Sequence, residues 1–360
     1  MSTKKPRLGE GEYTVAWISA LPIEHAAAVA LLDEEHEPPD RRDTGDAIYT
    51  LGVIHGHNIV IACLPAGHTG IAPAANLAAR LNAPFTNVTF GLLVGIGGGC
   101  PSGDADIRLG DVVVSQPRDG HGGVVQYDMV RRLPDSKVQH TSHMDKPSKY
   151  MLSALTVLQS QHHRGEASFA SYLSKLEETR KFSREAAGPD RLFRAEYQHM
   201  IGSSCAECDE RKLVKREPRP THDPIRLHYG TIASANSLIR DAAERDRLCE
   251  ELGGNILCFE MEAAGLLNSF PCLVFRGICD YADSHKNKKW QPYASATAAA
   301  VAKDYLSVIR PTSIAKVPLN NGAMPPDSII VSTGINTNQL SINSPVASAI
   351  QQKPPIHWPE

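Results

Sequence analysis

Acidic residues follow three separate apolar segments of this 360-residue chain. Glu24 comes after the first apolar run. Glu260 and Glu262 come directly after the run ILCF, and Asp280 ends the run LVFRGICD. Because a carboxylate is costly to bury without a partner, such residues either face solvent or hold a ligand. Any one of them could instead cap a helix or lie in its first turn, but together they predict one polar site.

The apolar runs predict the elements that would bring these acids together. Strands are predicted over residues 13–21, 47–54, 58–64, 88–99, 111–115, 228–234, 255–259 and 271–280. Helices are predicted over residues 22–32, 71–81 and 294–309. Buried strands that alternate with helices are typical of an α/β sheet covered on both faces. The carboxyl ends of such strands form a ligand crevice, which is where these acids are expected.

The composition along the chain predicts one large folded domain over residues 12–310. Residues 1–11 are expected to be disordered, and residues 311–360, rich in Ser, Asn, Pro and Gly, to form a flexible linker or tail. Within the domain, residues 131–225 are polar and rich in His and Arg, without a strongly apolar strand. We interpret this segment as a mainly helical or irregular insertion.

Charge and hydropathy exclude several classes of protein. The 37 Lys and Arg residues nearly balance the 40 Asp and Glu residues, so we expect no nucleic-acid partner and no membrane partner. No 18-residue apolar run and no signal-peptide core are present, which predicts a cytoplasmic protein. The eight cysteines are scattered, several within apolar runs, and are expected to be reduced thiols.

The glycine cluster GIGGG at residues 95–99 follows a predicted strand. A dinucleotide fingerprint would need glycine at Cys100, and no Gly-Lys-Ser or Gly-Lys-Thr sequence forms a P-loop. Two interpretations remain for the cluster. It is either a simple turn or a place where the backbone approaches a ligand closely.

Two further motifs lie in the predicted insertion. Cys205 and Cys208 form a C-x-x-C pair with His199 and His222 nearby, which is half of a zinc site without a second half, so no metal is predicted. The basic stretch at residues 211–219 is either a solvated face or a phosphate-binding segment.

Motifs in a fixed order carry a resemblance to a known family. The segments LPIE, VGIGGG, RLGDVVVS, IASAN, CFEMEAAG and FRGICDYADSHKN, spread over residues 12–310, resemble the nucleoside phosphorylase and 5'-methylthioadenosine/S-adenosylhomocysteine nucleosidase superfamily. The chain is most similar to fungal nucleoside-phosphorylase-type domains at the N-terminus of NLR-like proteins. The resemblance implies a three-layer α/β/α sandwich around a mixed central sheet, no cofactor, and a homodimer or higher homo-oligomer.

The resemblance also implies roles for the acids. Asp280 would act as the general acid at N7 of a purine, and Glu24 would orient and deprotonate water. Glu262 would accept hydrogen bonds from the ribose hydroxyls, with Met261 and Glu260 beside it. The other substrate-binding positions that the resemblance implies are Gly95, Ile96, Gly97, Ser234, Asn236, Leu238 and Cys279.

Departures from the family pattern bear on the reaction. Where the phosphorylases grip phosphate with an arginine before the glycines and a Ser or Thr within them, this chain has Leu93 and Ile96. Neither side chain offers a charge-assisted donor to phosphate, so we predict a hydrolase, a purine nucleosidase. A phosphate-dependent phosphorylase and a non-catalytic nucleoside sensor are the alternatives.

Basic residues of the predicted insertion suggest a charged substrate. They are Arg131, Arg132, Lys212, Lys215 and Arg216, with Arg131, Arg132, Lys215 and Arg216 as the candidate phosphate-binding set. If they face the site, the substrate would be a nucleotide such as ATP rather than a nucleoside.

Overall fold

A computed structural model describes residues 5–38, 48–102, 104–134, 138–200, 205–220 and 225–311. These residues lie within one compact unit, Met1–Ile314. The predicted tail, except residue 311, the first four residues and position 47 of a predicted strand fall outside the described residues. No helix in the described ranges is long and apolar enough to cross a membrane.

Most of the strands belong to one mixed sheet. The strands are β1 (Val15–Ser19), β2 (Glu34–Glu35), β3 (Tyr49–Ile54), β4 (His57–Cys63), β5 (Phe90–Gly99), β6 (Val112–Ser115), β7 (Val124–Gln126), β8 (Val130–Arg132), β9 (Val138–His140), β10 (Leu227–Ser234), β11 (Ile256–Glu260) and β12 (Cys272–Asp280). The sheet runs in the order β11-β10-β6-β12-β5-β1-β4-β3-β2, with β7 paired to β10. β8 and β9 form a separate hairpin.

The centre of the sheet is parallel and its flanks are mixed. β5 lies between β1 and β12 and is parallel to both, and β1 is also parallel to β4. β3 pairs antiparallel with β4, and β6 pairs antiparallel with β12. The predicted mixed α/β sheet is therefore confirmed.

Helices cover both faces of this sheet. They are α1 (Pro22–Ala30), α2 (Ile71–Asn82), α3 (Lys149–His163), α4 (Phe169–Glu177), α5 (Arg184–Ala187), α6 (Ala242–Glu251), α7 (Ala263–Leu266) and α8 (Gln291–Ser307). Alternate residues of β1 point to opposite faces: Val15 and Trp17 pack with α1, α3, α4 and α8, whereas Ala16 and Ile18 pack with α2 and α7. This is the expected three-layer arrangement.

Helix α8 has the longest run of buried residues of any helix in the described chain. Its residues from Tyr293 to Leu306 are all buried, and its Ala-rich surface packs closely on β12. A Cβ atom on Gly277 of β12 would lie 1.8 Å from the backbone oxygen of Ala294, so glycine is required where the helix crosses the strand.

The segment predicted as an insertion contributes to the same core. Met151, Leu155 and Leu158 of α3 and Leu173 of α4 pack in the cluster that contains α8. The described part of this segment is mainly helical or irregular, as predicted, with the helices α3, α4 and α5. Its helices are part of the layer over one sheet face rather than an appendage.

One of the two interpretations of the GIGGG cluster is excluded: it is not a simple turn, because β5 continues to Gly99 and none of its glycines has a positive φ. Cys100 and Cys249 lie side by side, with their Cα atoms 7.6 Å apart. A disulfide joins Cα atoms about 4.4–6.8 Å apart, so this contact does not overturn the expectation of reduced thiols. The other six cysteines are free.

Candidate active site

A cavity of about 330 Å³ opens near the carboxyl ends of β1, β5, β11 and β12. We call it the central cavity. Its volume lies in the range of about 300–1,000 Å³ typical of small-molecule sites. The charged residues in its wall are Glu24, Arg240, Glu260, Glu262, Arg276, Lys286 and Lys288. Acids from three separate strand ends thus lie at or beside one crevice, as the sequence predicted.

Glu24 lies in the first turn of α1, just beyond β1. Its Oε2 accepts hydrogen bonds from the N–H groups of Ala20 (2.8 Å) and Leu21 (2.9 Å), and its Oε1 accepts one from Ile96 N–H (2.8 Å). Burial raises the pKa of Glu24, while the Arg276 charge and these N–H groups oppose the rise. A carboxylate oxygen accepts about two hydrogen bonds, so Oε1 retains capacity for a ligand.

The glycines of β5 allow the acids to approach its backbone. A Cβ atom on Gly95 would lie 2.6 Å from both Glu24 Oε1 and Arg276 Nη1. A Cβ atom on Gly98 would lie 2.8 Å from Asp280 Oδ1. The close-approach interpretation of the cluster therefore explains the glycines, although the atoms that approach are protein side chains.

Arg276 of β12 holds the acidic groups in place, and the sequence analysis missed its role. It is 1% exposed, and its Nη2 pairs with Glu260 and lies 3.5 Å from Glu262 Oε2. Its Nη1 also donates to the Ile96 carbonyl at 3.3 Å. A buried guanidinium needs anionic partners, and the carboxylates around it need a cation. Arginine in the run LVFRGICD, which is otherwise apolar up to its terminal Asp, was the available signal.

Glu260 and Glu262 have different environments although they are two residues apart. Glu260 accepts from the N–H groups of Glu262 and Ala263, both at 3.0 Å, so it fixes the start of α7. Glu262 accepts from Gly70 N–H at 3.1 Å. Burial raises the pKa of Glu262 to about 7, with Arg276 opposing the rise and Glu260 reinforcing it.

Asp280 lies at the end of β12, one contact behind the wall of the central cavity. Its Oδ1 accepts from Ala282 N–H at 2.9 Å, and its Oδ2 lies 2.9 Å from Lys286 Nζ. Burial lowers the pKa of Lys286, but the Asp280 charge opposes this and the net shift is upward. Lys286 lines the central cavity, whereas Asp280 lines an adjoining cavity of about 220 Å³. Cys279 lines both.

The other predicted substrate-binding positions divide into two groups. Ile96, Gly97, Leu238, Met261 and Cys279 line the central cavity, and Leu238 is 54% exposed. Gly95, Ser234 and Asn236 lie outside its described lining.

Ser234 and Asn236 use their side chains to hold helices. Ser234 Oγ accepts from Ala264 N–H in α7 at 3.0 Å. Asn236 Oδ1 accepts from Ile71 N–H at 3.0 Å and so caps the start of α2.

The candidate phosphate-binding residues lie elsewhere. Arg131, Arg132 and Lys215 are exposed and do not belong to the described lining of the central cavity. Arg216 Nη2 donates to Asp190 Oδ2 at 2.8 Å and to Tyr281 Oη at 3.0 Å, so its charge already has partners.

Three other cations line the central cavity. They are Arg240, Lys286 and Lys288, and Arg240 and Lys288 are exposed at its rim. The sequence analysis missed them, although they stand a few residues after the IASAN and RGICD motifs. Their proximity to those motifs was the signal that could have identified them.

The motif that was interpreted from the sequence as half of a zinc site forms a separate cluster. His199, Cys205 and Cys208 place their ligand atoms within 4.8 Å of one another. His222 lies outside the described residues.

Known proteins similar to this chain were found by sequence. A sequence model of the family described as Phosphorylase superfamily matches residues 14–307. A nucleotide-binding leucine-rich repeat (NLR)-like protein of Hyaloscypha variabilis is 43% identical over 316 residues, which are 87% of this chain and 31% of that protein. The ATP nucleosidase Cap17 of Escherichia coli is 40% identical over 87 residues, which are 23% of this chain and 17% of that protein. The chain therefore spans less than a third of the length of these relatives.

Solved structures share the fold. The futalosine hydrolase of Helicobacter pylori strain 26695 superposes with a TM-score of 0.53 at 16% identity, covering 83% of this chain and 99% of that chain. The 5'-methylthioadenosine/S-adenosylhomocysteine nucleosidase from Neisseria meningitidis gives a TM-score of 0.52 at 15% identity, covering 82% of this chain and 99% of that chain.

Proposed function

The chain belongs to the phosphorylase superfamily, and from this premise we propose that it is a purine nucleosidase. It would hydrolyse the N-glycosidic bond of a purine nucleoside or nucleotide. The observation that carries the proposal is the placement of Glu24 and Glu262 in one cavity wall, with the charge of Arg276 acting on both and Asp280 directly behind that wall. Hydrolysis of a glycosidic bond needs two such groups: one acid protonates the leaving group, and one carboxylate activates water.

Glu262 would bind the sugar. An ionised carboxylate offers acceptors only, which suits two hydroxyl donors at a fixed spacing. Its Oε1 is held by Gly70 N–H, and Arg276 lies 3.5 Å from its Oε2, so the group is oriented before the sugar arrives. Met261, beside it in the cavity wall, would pack on the ribose.

Glu24 would activate water. Three backbone N–H groups fix its carboxylate, and Oε1 keeps one acceptor position. A burial-raised pKa makes Glu24 a stronger base than an exposed glutamate, which favours removal of a proton from water.

Asp280 would act at the base. It would deliver or share a proton with purine N7, so that the base leaves neutral as the sugar gains positive charge. The ammonium of Lys286 occupies Asp280 Oδ2 and stands between it and the central cavity. Substrate binding must therefore displace the Lys286 side chain from this oxygen.

Hydrolysis is favoured over phosphorolysis by the surroundings of β5. Leu93 is 1% exposed, and the Ile96 N–H is already committed to Glu24. A phosphate ion needs charge-assisted donors, and Arg276 is committed to Glu260 and Glu262.

A nucleotide substrate is favoured by the cations of the central cavity. Arg240, Lys286 and Lys288 line the same cavity as Glu262, so a sugar held there would have positive charge around it. The Escherichia coli relative described as an ATP nucleosidase supports ATP as the candidate nucleotide. These residues replace the set proposed from sequence.

The test is chromatography of the products formed from adenosine, guanosine, inosine, methylthioadenosine, AMP and ATP, each with and without phosphate. Free base released without phosphate would support the proposal. Release that requires phosphate would support a phosphorylase instead, and no release from any substrate would favour a nucleoside sensor. A homodimer or larger homo-oligomer and a cytoplasmic location stay predictions, and light scattering after size-exclusion chromatography tests the first.

A further inference from the structure

Residues 191–200 and 205–214 are the described parts of a loop beside the active-site wall. Its two ends are joined by backbone hydrogen bonds, from Val214 N–H to the Leu192 carbonyl and from Arg194 N–H to the Lys212 carbonyl, both at 2.9 Å. We call this segment the 191–214 loop, of which residues 201–204 are not described. None of the described side chains of this loop lines the central cavity.

Three side chains of this loop converge. The ligand atoms of His199, Cys205 and Cys208 lie within 4.8 Å of one another, and all three residues are partly buried. Around a tetrahedral zinc ion, with Zn–S of about 2.3 Å and Zn–N of about 2.0 Å, ligand atoms lie about 3.4–3.8 Å apart. Small side-chain rotations would therefore close the cluster on a metal. The C-x-x-C spacing is the one common in zinc sites.

A buried histidine beside the cluster gives an independent observation. His285 is 7% exposed, its Nδ1 lies 3.6 Å from Asp283 Oδ2, and its Nε2 has no hydrogen-bond partner among the described residues. Its ring lies 5.5 Å from that of His199, and its carbonyl accepts from Cys205 Sγ at 3.8 Å. A buried polar atom without a partner calls for a missing water or ion. Water on a metal in the cluster would supply a partner for the imidazole.

We propose that His199, Cys205 and Cys208 bind a zinc ion, with water in the fourth position. Two thiolates and an imidazole are the ligands that zinc prefers, and hard cations such as Mg²⁺ and Ca²⁺ prefer oxygen. Binding releases the protons of both thiols.

The metal would fix the conformation of the 191–214 loop, which packs against the loop that carries Lys286. His199 N–H donates to Ser284 Oγ at 2.9 Å, and Phe193 stacks on His285 at 4.1 Å between ring centroids. Lys286 follows immediately and pairs with Asp280. The proposed zinc site thus lies in a loop that contacts the two residues directly before Lys286.

The first test is metal analysis of the purified full chain by mass spectrometry, with the Cys205→Ser/Cys208→Ser double variant. The matched control is Cys63→Ser, because Cys63 is also a partly buried free thiol but lies on β4. We expect about one zinc per chain in the wild type and the control, and at least a 10-fold loss in the double variant. Replacement by Co²⁺ is expected to give thiolate charge-transfer absorption that the double variant lacks.

A second measurement on the wild type avoids dependence on the folding of the variant. Alkylation with and without a strong chelator, followed by peptide mass spectrometry, is expected to show Cys205 and Cys208 protected only while zinc is present. Equal alkylation in both conditions, or equal zinc content in the double variant and wild type, would overturn the proposal. Neither readout depends on nucleosidase activity.

Discussion

The three carboxylates to which we propose roles have different partners. Backbone N–H groups hold Glu24, a backbone N–H and a guanidinium hold Glu262, and Asp280 pairs with an ammonium. Each environment suits the proposed task, because burial favours a base, a fixed anion suits a diol, and the carboxyl group beside the ammonium is the one proposed to act at the purine.

Removal of either reacting carboxyl group should abolish most of the activity. Asp280→Asn and Glu24→Gln keep the shape but lose proton transfer, which is typically worth about 10²–10⁴ in rate. Base release measured by chromatography should fall by that factor in each variant. Asp119→Asn, at an exposed acid with a surface ion pair to Arg118, is the control and should retain wild-type activity. A loss in the control equal to that in Asp280→Asn would contradict the assigned roles.

Activity should rise with pH near neutrality. In its proposed role, Glu262 must be ionised to accept hydrogen bonds from both ribose hydroxyls, and burial raises its pKa to about 7. We therefore expect kcat/KM to increase through about pH 7 in the free enzyme. The folded protein holds this proton more tightly than the unfolded chain, so the contribution of Glu262 to unfolding free energy falls as pH rises from about 4.5 to 7. A pH profile of kcat/KM that stays flat between about pH 6 and 8 would argue against Glu262 as the ribose acceptor.

The cavity cations should distinguish nucleotides from nucleosides. A hydrogen bond to a charged group is worth about 1.5–3 kcal/mol, so Arg240→Ala with Lys288→Ala should raise KM for ATP by at least about 10-fold. KM for adenosine should change little. Arg131→Ala with Arg132→Ala removes two exposed charges outside the described cavity lining and serves as the matched control. If the control pair raises KM for ATP more, the phosphate site suggested by the sequence is the better one.

At the scale of elements, β5 is the strand on which the site depends. Because Gly95 and Gly98 have no side chain, Glu24, Arg276 and Asp280 can approach the backbone of this strand closely. Side chains at Gly95 and Gly98 would displace the acidic groups. The geometry of the site therefore depends on glycine at these two positions.

A methyl group on β5 should therefore disturb the site. In Gly95→Ala the new Cβ atom would lie 2.6 Å from Glu24 Oε1 and Arg276 Nη1. We expect a loss of about 1–3 kcal/mol in unfolding free energy and a marked fall in activity, measured by denaturant titration and base release. Gly9→Ala is the control, because the atom nearest to its Cβ lies 3.9 Å away. Wild-type activity in Gly95→Ala would show that Glu24 need not lie where the structure places it.

The sequence predicted the strands and the acids better than the contacts between them. Apolar runs located β1, β5, β11 and β12, and the acids at their ends followed from the rule for ligand sites in α/β sheets. The partners of Arg276 and Arg216 were not predictable, because both pairings depend on how distant segments pack. The exposed cations Arg240 and Lys288 were missed since their side-chain types are common on solvated surfaces.

At the scale of the whole molecule, α8 ties the layers together. It contacts α1, α3, α4, β5 and β12, and Lys303 within it donates to the Leu31 carbonyl at 2.8 Å. His57 Nε2, at the start of β4, bonds to the carbonyls of Leu306 and Ile309. The folded unit therefore requires the chain as far as Ile309.

Truncation should reveal this requirement. A chain that ends after residue 311 is expected to keep the cooperative unfolding transition and the activity of the full chain, measured by circular dichroism and base release. A chain that ends after residue 290 lacks α8 and should not fold cooperatively, because it exposes the apolar surface that α8 covers. Loss of folding in the chain that ends after residue 311 would contradict this domain boundary.

The most direct measurement of the central claim is identification of the sugar product by mass spectrometry. Wild-type protein incubated with ATP or adenosine in phosphate buffer should give adenine together with the free sugar, ribose 5'-triphosphate or ribose, and Asp280→Asn should give almost none. Ribose 1-phosphate from adenosine, or the corresponding 1-phosphorylated sugar from ATP, would show phosphorolysis. Such a product would contradict the assignment of Glu24 to water.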